Sequence, residues 1–231
     1  IVFHEESKTF HLYNNEISYV FKILENNQLG QLYYGKRIHD KPDFSYLVEK
    51  CGRPMTSYIF EGDRSFSLEH IRQEYPVYGT TDYRHPAIEI MQENGSNISE
   101  FKYVGYEILK GKPSLKGLPA TYTESEEEAE TLKIILKDSL TGAKLTLLYT
   151  IFSKGSAIAR SAHICNKGEK VLHLQTMMSL NLDLPDKDYV WMQLSGAWSR
   201  ERYVKNRILE QGITAIDSMR GNSSHEHNPF M

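Results

Sequence analysis

Cysteine is almost missing from this chain, and so are long apolar runs, an excess of either charge and the common catalytic signatures. The two cysteines, Cys51 and Cys165, form no Cys-x-x-Cys pair. Neither a disulfide framework nor a cysteine zinc site is indicated, and a reducing cytoplasm is the simplest compartment to expect. No stretch approaches the ~18 consecutive apolar residues that mark a membrane-spanning helix, so no membrane partner is expected. The 27 basic and 30 acidic residues leave a net charge of −3, which gives no field to gather nucleic acid. Gly-x-Ser-x-Gly, His-Glu-x-x-His and glycine-rich phosphate loops are all absent. Hydrolases built on those motifs and nucleotide enzymes therefore lose their usual sequence marks. No cofactor and no metal are expected.

What is present describes a globular chain. Its 231 residues can bury a sizeable core and fit one large domain, so residues 1–231 are expected to fold as one. Residue 1 is Ile, and Pro229-Phe230-Met231 ends the chain where an apolar strand would begin. Both features read as a piece cut from a larger protein. Aromatics reach 11%, with 15 tyrosines, which suits strand packing first and sugar faces second.

Apolar residues alternate with polar ones in several stretches: Ile17, Tyr19, Phe21, Ile23; Leu132, Ile134, Leu136; and Leu145, Leu147, Tyr149, Ile151. Period two is the mark of a strand. Asn14-Asn15 reads as the turn of a hairpin over residues 8–23. Asp138 to Gly142, Ser153-Lys154-Gly155 and Asn166-Lys167-Gly168 read as later turns. A further alternating run, Leu172, Leu174, Met178, Leu180, Leu182, Leu184, predicts one long strand. The fold class is all-β, a large antiparallel β-sandwich of two packed sheets with few short helices. Only two segments compete for helix, Ser67 to Glu74, with a candidate N-cap, and Glu124 to Glu130. The acidic run Glu124 to Glu130 reads as a solvated edge before a strand.

Three polar clusters carry the candidate chemistry. In Asp63-Arg64 and Asp82-x-Arg84, the arginines can simply pair with the aspartates while Pro76, Gly79 and Pro86 set turns. In Gly196-Ala197-Trp198-Ser199-Arg200-Glu201-Arg202, an indole face beside charged donors matches what a pyranose ring asks for. It equally matches an edge tryptophan packed on its neighbours. His225-Glu226-His227 places two imidazoles two apart, but two ligands do not complete a metal site. The sequons at Asn94, Asn97 and Asn222 matter only in a secreted eukaryotic chain.

Five segments together resemble the N-terminal region of bacterial α-galactosidases of the melibiase type, glycoside hydrolase family thirty-six. They are Asp63-Arg64-x-Phe66-Ser67-Leu68, Gln73-Glu74-Tyr75-Pro76-x-Tyr78-Gly79-x-Thr81-Asp82-x-Arg84-x-Pro86, Gly117-Leu118-Pro119-Ala120-Thr121-Tyr122, Gly196-Ala197-Trp198-x-Arg200-Glu201-Arg202, and Arg220-Gly221-x-Ser223-Ser224-His225-x-x-Asn228-Pro229-Phe230. The resemblance implies a supersandwich that precedes a (β/α)8 catalytic barrel missing from this chain. It implies a retaining mechanism whose two aspartates lie on that barrel, so no residue here is expected to be catalytic. It also implies substrate-binding roles for Trp198, as a sugar-stacking residue, and for Arg64, which in tetrameric members reaches the pocket of a neighbouring subunit. The family places an acidic residue a dozen positions before that arginine, whereas this chain has Cys51-Gly52-Arg53. The Ser223 to Phe230 motif is expected at the junction with the barrel. The expected partners are a galactoside substrate of melibiose or raffinose type, the chain's own barrel and a homotetramer, in the cytoplasm. The competing reading is a free-standing carbohydrate-binding or scaffold sandwich.

Overall fold

In a computed structural model, residues 1–52, 57–117, 120–217, 219 and 227–228 are described. The chain divides into two compact units, Ile1–Leu184 and Pro185–Met231, and each is treated in its own frame.

The first unit is built from two four-stranded antiparallel sheets. One comprises β1 (Val2–His4), β2 (Thr9–Tyr13), β3 (Ile17–Ile23) and β4 (Leu29–Lys36) in sequential order. A two-stranded sheet pairs β5 (Ile88–Gln92) with β10 (Leu172–Met177). The second large sheet holds β6 (Phe101–Lys110), β7 (Ala129–Asp138), β8 (Ala143–Phe152) and β9 (Ile158–Asn166), again in sequential order. Short turns join most of these neighbours and favour antiparallel pairing, whereas β6 reaches β7 through the longer connection 111–128.

Period-two patterning becomes the core. Phe10, Leu12, Tyr19 and Phe21 from one sheet share a buried cluster with Leu132, Ile134, Leu145, Leu147 and Tyr149 from the other. The Phe21 and Tyr149 rings stack across the interface with centroids 4.9 Å apart. This is the sandwich that the alternation predicts. Asn14 fixes the expected turn, since its Oδ1 accepts the backbone N–H groups of Glu16 and Ile17 at 2.8 and 2.9 Å. Its Nδ2 donates to the carbonyls of Phe152 and Gly155, so the turn is also fastened to the β8–β9 connection. At the β7–β8 turn Asp138 accepts from the Leu140 N–H and the Thr141 hydroxyl.

Three expectations are corrected. Residues 67–74 form a turn rather than a helix. Residues 72–74 instead lie against β4, with Gln31 N–H donating to the Arg72 carbonyl and Glu74 N–H to the Leu29 carbonyl. The strand expected through Leu184 ends at Met177, because Asn181 and Asp183 turn their polar groups toward Gln73 and two arginines. Ser18, which alternation assigns to solvent, is fully buried together with His11. The segment after β4 covers that face and seats Phe44 beside Val20 and Leu32. The acidic run contributes one short 3-10 turn, Glu126–Glu128, ahead of β7.

The second unit is a hairpin of β11 (Val190–Ala197) and β12 (Arg200–Ile208). Val190, Met192, Val204 and Ile208 share one of its faces and are each more than half exposed. His227 bridges to Ser195 on β11. His225, the other member of the expected pair, lies outside the described residues, as do Leu118, Pro119 and most of the final motif. No helix among the described residues is long and apolar enough to cross a membrane.

Candidate functional site

Trp198 occupies the tip of the β11–β12 hairpin. Ala197 pairs with Arg200, which leaves Trp198 and Ser199 as a two-residue loop. Ser199 takes a left-handed φ of 62°, and its N–H donates to Glu201 Oε1 at 2.9 Å. Gly196 is obligatory, because a Cβ there would lie 2.2 Å from the Arg200 carbonyl oxygen. The indole is 81% exposed. A tryptophan packed on its neighbours is thereby excluded within the described residues, and a free aromatic face on a fixed turn remains.

Arg64 lies in the other unit, in the loop between Asp63 and Phe66, and is exposed. The expected Asp63–Arg64 pair is not made. Asp63 Oδ1 instead accepts the Ser65 N–H and hydroxyl at 2.8 and 2.7 Å, and these bonds hold its carboxyl below the ordinary range. Arg64 forms no ion pair or hydrogen bond with another described residue.

The Asp82–Arg84 pair is made, and it belongs to a larger device. Arg84 Nε lies 2.9 Å from Asp82 Oδ2 as a charge contact rather than an aligned hydrogen bond. Its terminal nitrogens donate to Asp183 and to the carbonyls of Leu68 and Ile71. Gln73 Nε2 donates to Asp82 at 2.7 Å, and Gln73 N–H donates to Asp183 at 2.8 Å. The second resemblance segment is therefore largely structural, since its polar residues fasten three stretches of chain together.

Glu74 sits deeper. Its carboxylate is fully buried and accepts from Tyr19 and Tyr149 hydroxyls, with Arg160 at 3.2 Å. Burial raises the Glu74 pKa, while Arg160 and the two hydroxyls pull it back down. Burial also works against charge on Arg160, but Tyr149, Glu74 and Tyr19 outweigh it and keep the guanidinium protonated. Tyr75 is pushed up to about 12 by burial. This tetrad is closed to solvent, so it is a buried polar network rather than a reaction centre.

Sequence reasoning missed one further constellation. His11 Nδ1 lies 2.6 Å from Asp40 Oδ1, and His11 Nε2 lies 2.9 Å from Ser18 Oγ. The order serine, imidazole, carboxylate matches a hydrolytic triad. Ser18 is nonetheless inaccessible, and its Oγ accepts the Ile38 N–H at 3.1 Å. No substrate carbonyl can reach it. The chain of bonds instead pins the covering segment to the first sheet, with His4 as a second partner of Asp40 at 3.0 Å.

The comparisons with known proteins decide the family. The family model described as "Glycosyl hydrolase family 36 N-terminal domain" matches residues 27–231. The chain belongs to that family. Among curated relatives of this glycosyl hydrolase family 36 domain, alpha-galactosidase AgaA of Geobacillus stearothermophilus is 42% identical over 231 residues. That match covers 100% of this chain and 32% of AgaA. Alpha-galactosidase Mel36A of Lactobacillus acidophilus is 36% identical, again over 100% of this chain and 32% of the relative. The crystal structure of the alpha-galactosidase from Lactobacillus brevis superposes with a TM-score of 0.94 at 39% identity. It covers 99% of this chain and 31% of its own. An AgaA variant solved in complex with raffinose gives a TM-score of 0.90 at 44% identity, covering 96% and 31%. The family 36 domain described here thus spans about a third of the length of the relatives it matches.

Proposed function

We propose that this chain is the non-catalytic N-terminal part of a retaining α-galactosidase and that it supplies substrate-binding groups to a pocket completed elsewhere in the protein. Trp198 would stack on the C–H face of a terminal α-galactosyl residue, and Arg64 would donate to sugar hydroxyls, in a neighbouring subunit of a tetramer. The observation that carries this reading is the indole at the hairpin tip, 81% exposed and held by Gly196 and the Ser199 turn. A large aromatic left in water on a rigid turn is an unused contact surface.

Two further observations support the wider proposal. The apolar hairpin face formed by Val190, Met192, Val204 and Ile208 suits a docking contact with the remainder of a longer chain, the expected barrel. Cys51 is an exposed free thiol and Cys165 is unpaired, which fits a reducing cytoplasm. The relatives bound to raffinose and to stachyose make raffinose-type oligosaccharides the substrates to try first.

The test is hydrolysis of a chromogenic α-galactoside by this chain beside the same chain extended through its native reading frame. Activity in the extended protein alone is expected. Turnover by the 231-residue chain itself, or by neither, would overturn the proposal.

A further inference from the structure

The first unit carries a cavity of about 350 Å³ that none of the roles above absorbs. Its wall is formed by Tyr58, by the Gly79–Thr81 turn, by Ile98–Glu100 and by the Ser139–Leu140 corner of the β7–β8 turn. Arg64 is not among its lining residues. The volume lies within the usual range for small-molecule sites.

Three independent features converge there. Thr81 takes a left-handed φ of 69°, a conformation that β-branched residues avoid and that persists only where neighbours enforce it. Those neighbours are Thr80 and Asp82, joined at 3.1 Å, and Gly79, which has no room for a side chain because Ile98 lies 2.8 Å from where a Cβ would stand. Ser99 is 2% exposed, and its Oγ has no hydrogen-bond partner among the described residues. Tyr58, by contrast, lines the cavity at 45% exposure.

The chemistry of the wall narrows the ligand. The described lining contains no Lys, Arg or His, so nothing there holds an anion. Asp138 is already engaged by the Leu140 N–H and the Thr141 hydroxyl, and Glu100 is paired with Lys102 at 3.0 Å. No group of acidic or imidazole ligands suited to a metal ion occurs among the described residues. What remains are the hydroxyls of Tyr58, Thr81 and Ser139, with the unpartnered but buried Ser99 Oγ in the wall behind them, each able to donate and to accept, beside the apolar surfaces of Ile98 and Leu140. Alternating donors and acceptors next to a C–H-bearing face are what a sugar ring presents in return.

We propose that this cavity binds a neutral saccharide, with Tyr58 against the ring face and the Thr81 and Ser139 hydroxyls on the sugar hydroxyls. The inference does not rest on the activity proposed above, because the site lies wholly within the first unit and its test uses this chain alone.

Amide NMR spectra of the 231-residue chain are recorded during titration with D-galactose, with raffinose and, as an anion control, with inorganic phosphate. Saturable shifts at Gly79–Thr81, Ile98–Glu100 and Ser139 with a saccharide are expected, and none with phosphate. Tyr58→Ala, a surface change, should weaken that binding at least about tenfold and leave shifts outside the cavity unaltered. Silence of these segments toward both sugars would overturn the proposal, as would saturation by phosphate instead. Unchanged sugar affinity in both Tyr58→Ala and Thr81→Gly would do the same.

Discussion

Glu74 and Arg160 meet at 3.2 Å with 0% and 6% of their side chains exposed. Their contact joins the turn after residue 70 to β9, and Arg160 also donates to the Asn181 carbonyl at 2.6 Å. One pair thus ties together segments far apart in sequence.

Replacing Arg160 by Met should destabilise the first unit by about 3–5 kcal/mol, because a buried carboxylate is left without its counter-charge. Glu74 would then titrate still further above its usual 4.5 in the folded state. A carboxyl whose folded pKa is raised favours folding below its unfolded pKa and loses that advantage as pH rises toward the folded value. The deficit of Arg160→Met in urea unfolding should therefore be smallest near pH 4.5 and should widen as pH increases. A deficit that shrinks with rising pH would contradict the buried ion pair.

His11 gives the opposite dependence. Burial outweighs the hydrogen bond and charge of Asp40 and holds the ring below its usual pKa of 6.5. The unfolded chain therefore takes up the proton first. Stability is fully present above about pH 6.5 and declines as pH falls from there toward the folded pKa. Urea midpoints measured across this range should show a slope that flattens in His11→Asn. An identical slope in the variant would assign the effect to other groups.

Trp198→Ala separates binding from folding. With its ring 81% exposed, its loss should change the stability of this chain by no more than about 0.5 kcal/mol. In the full-length protein kcat/KM for an α-galactoside should fall at least about tenfold, or ~1.4 kcal/mol. Unchanged kinetics would remove Trp198 from the site.

Gly196→Ala tests the turn rather than the ring. The added methyl would meet backbone, the Arg200 carbonyl at 2.2 Å and Glu201 Cα at 2.8 Å, so the hairpin tip must shift. Activity of the full-length protein should drop as it does for Trp198→Ala, while unfolding of the first unit stays unchanged. Full activity would show that the indole needs no fixed turn.

The core was legible because one force dominates it. Leu132, Ile134 and Leu136 face inward in strict alternation, as do Leu145, Leu147 and Tyr149 on the neighbouring strand. Where side chains from distant positions capture the backbone, periodicity misleads. The turn at Ser67 to Glu74 looks helical, yet Arg84 takes the Leu68 and Ile71 carbonyls that a helix would have used internally. The apolar pattern from Met178 to Leu184 looks like a strand, yet Asn181 donates to the Gln73 carbonyl across more than a hundred residues. Of the two arginine pairings read from the sequence, Asp82 with Arg84 formed, whereas Asp63 turned to the nearer Ser65 N–H and hydroxyl. The link from His11 through Asp40 had no motif to announce it, since its members meet only when the segment after β4 folds over β2 and β3. Trp198 was visible as a flat face beside charges. Its exposure was not, because sequence cannot say whether a hairpin tip bends back onto the chain.

The closed tetrad has a spectroscopic consequence. Tyr19 and Tyr149 are pushed well above the ordinary phenol range, first by burial and then by the neighbouring Glu74 carboxylate against the pull of Arg160. In an alkaline titration these two enclosed phenols keep their protons until the fold opens. Phenolate absorbance then becomes a built-in clock for the sandwich, reporting its opening without any attached dye.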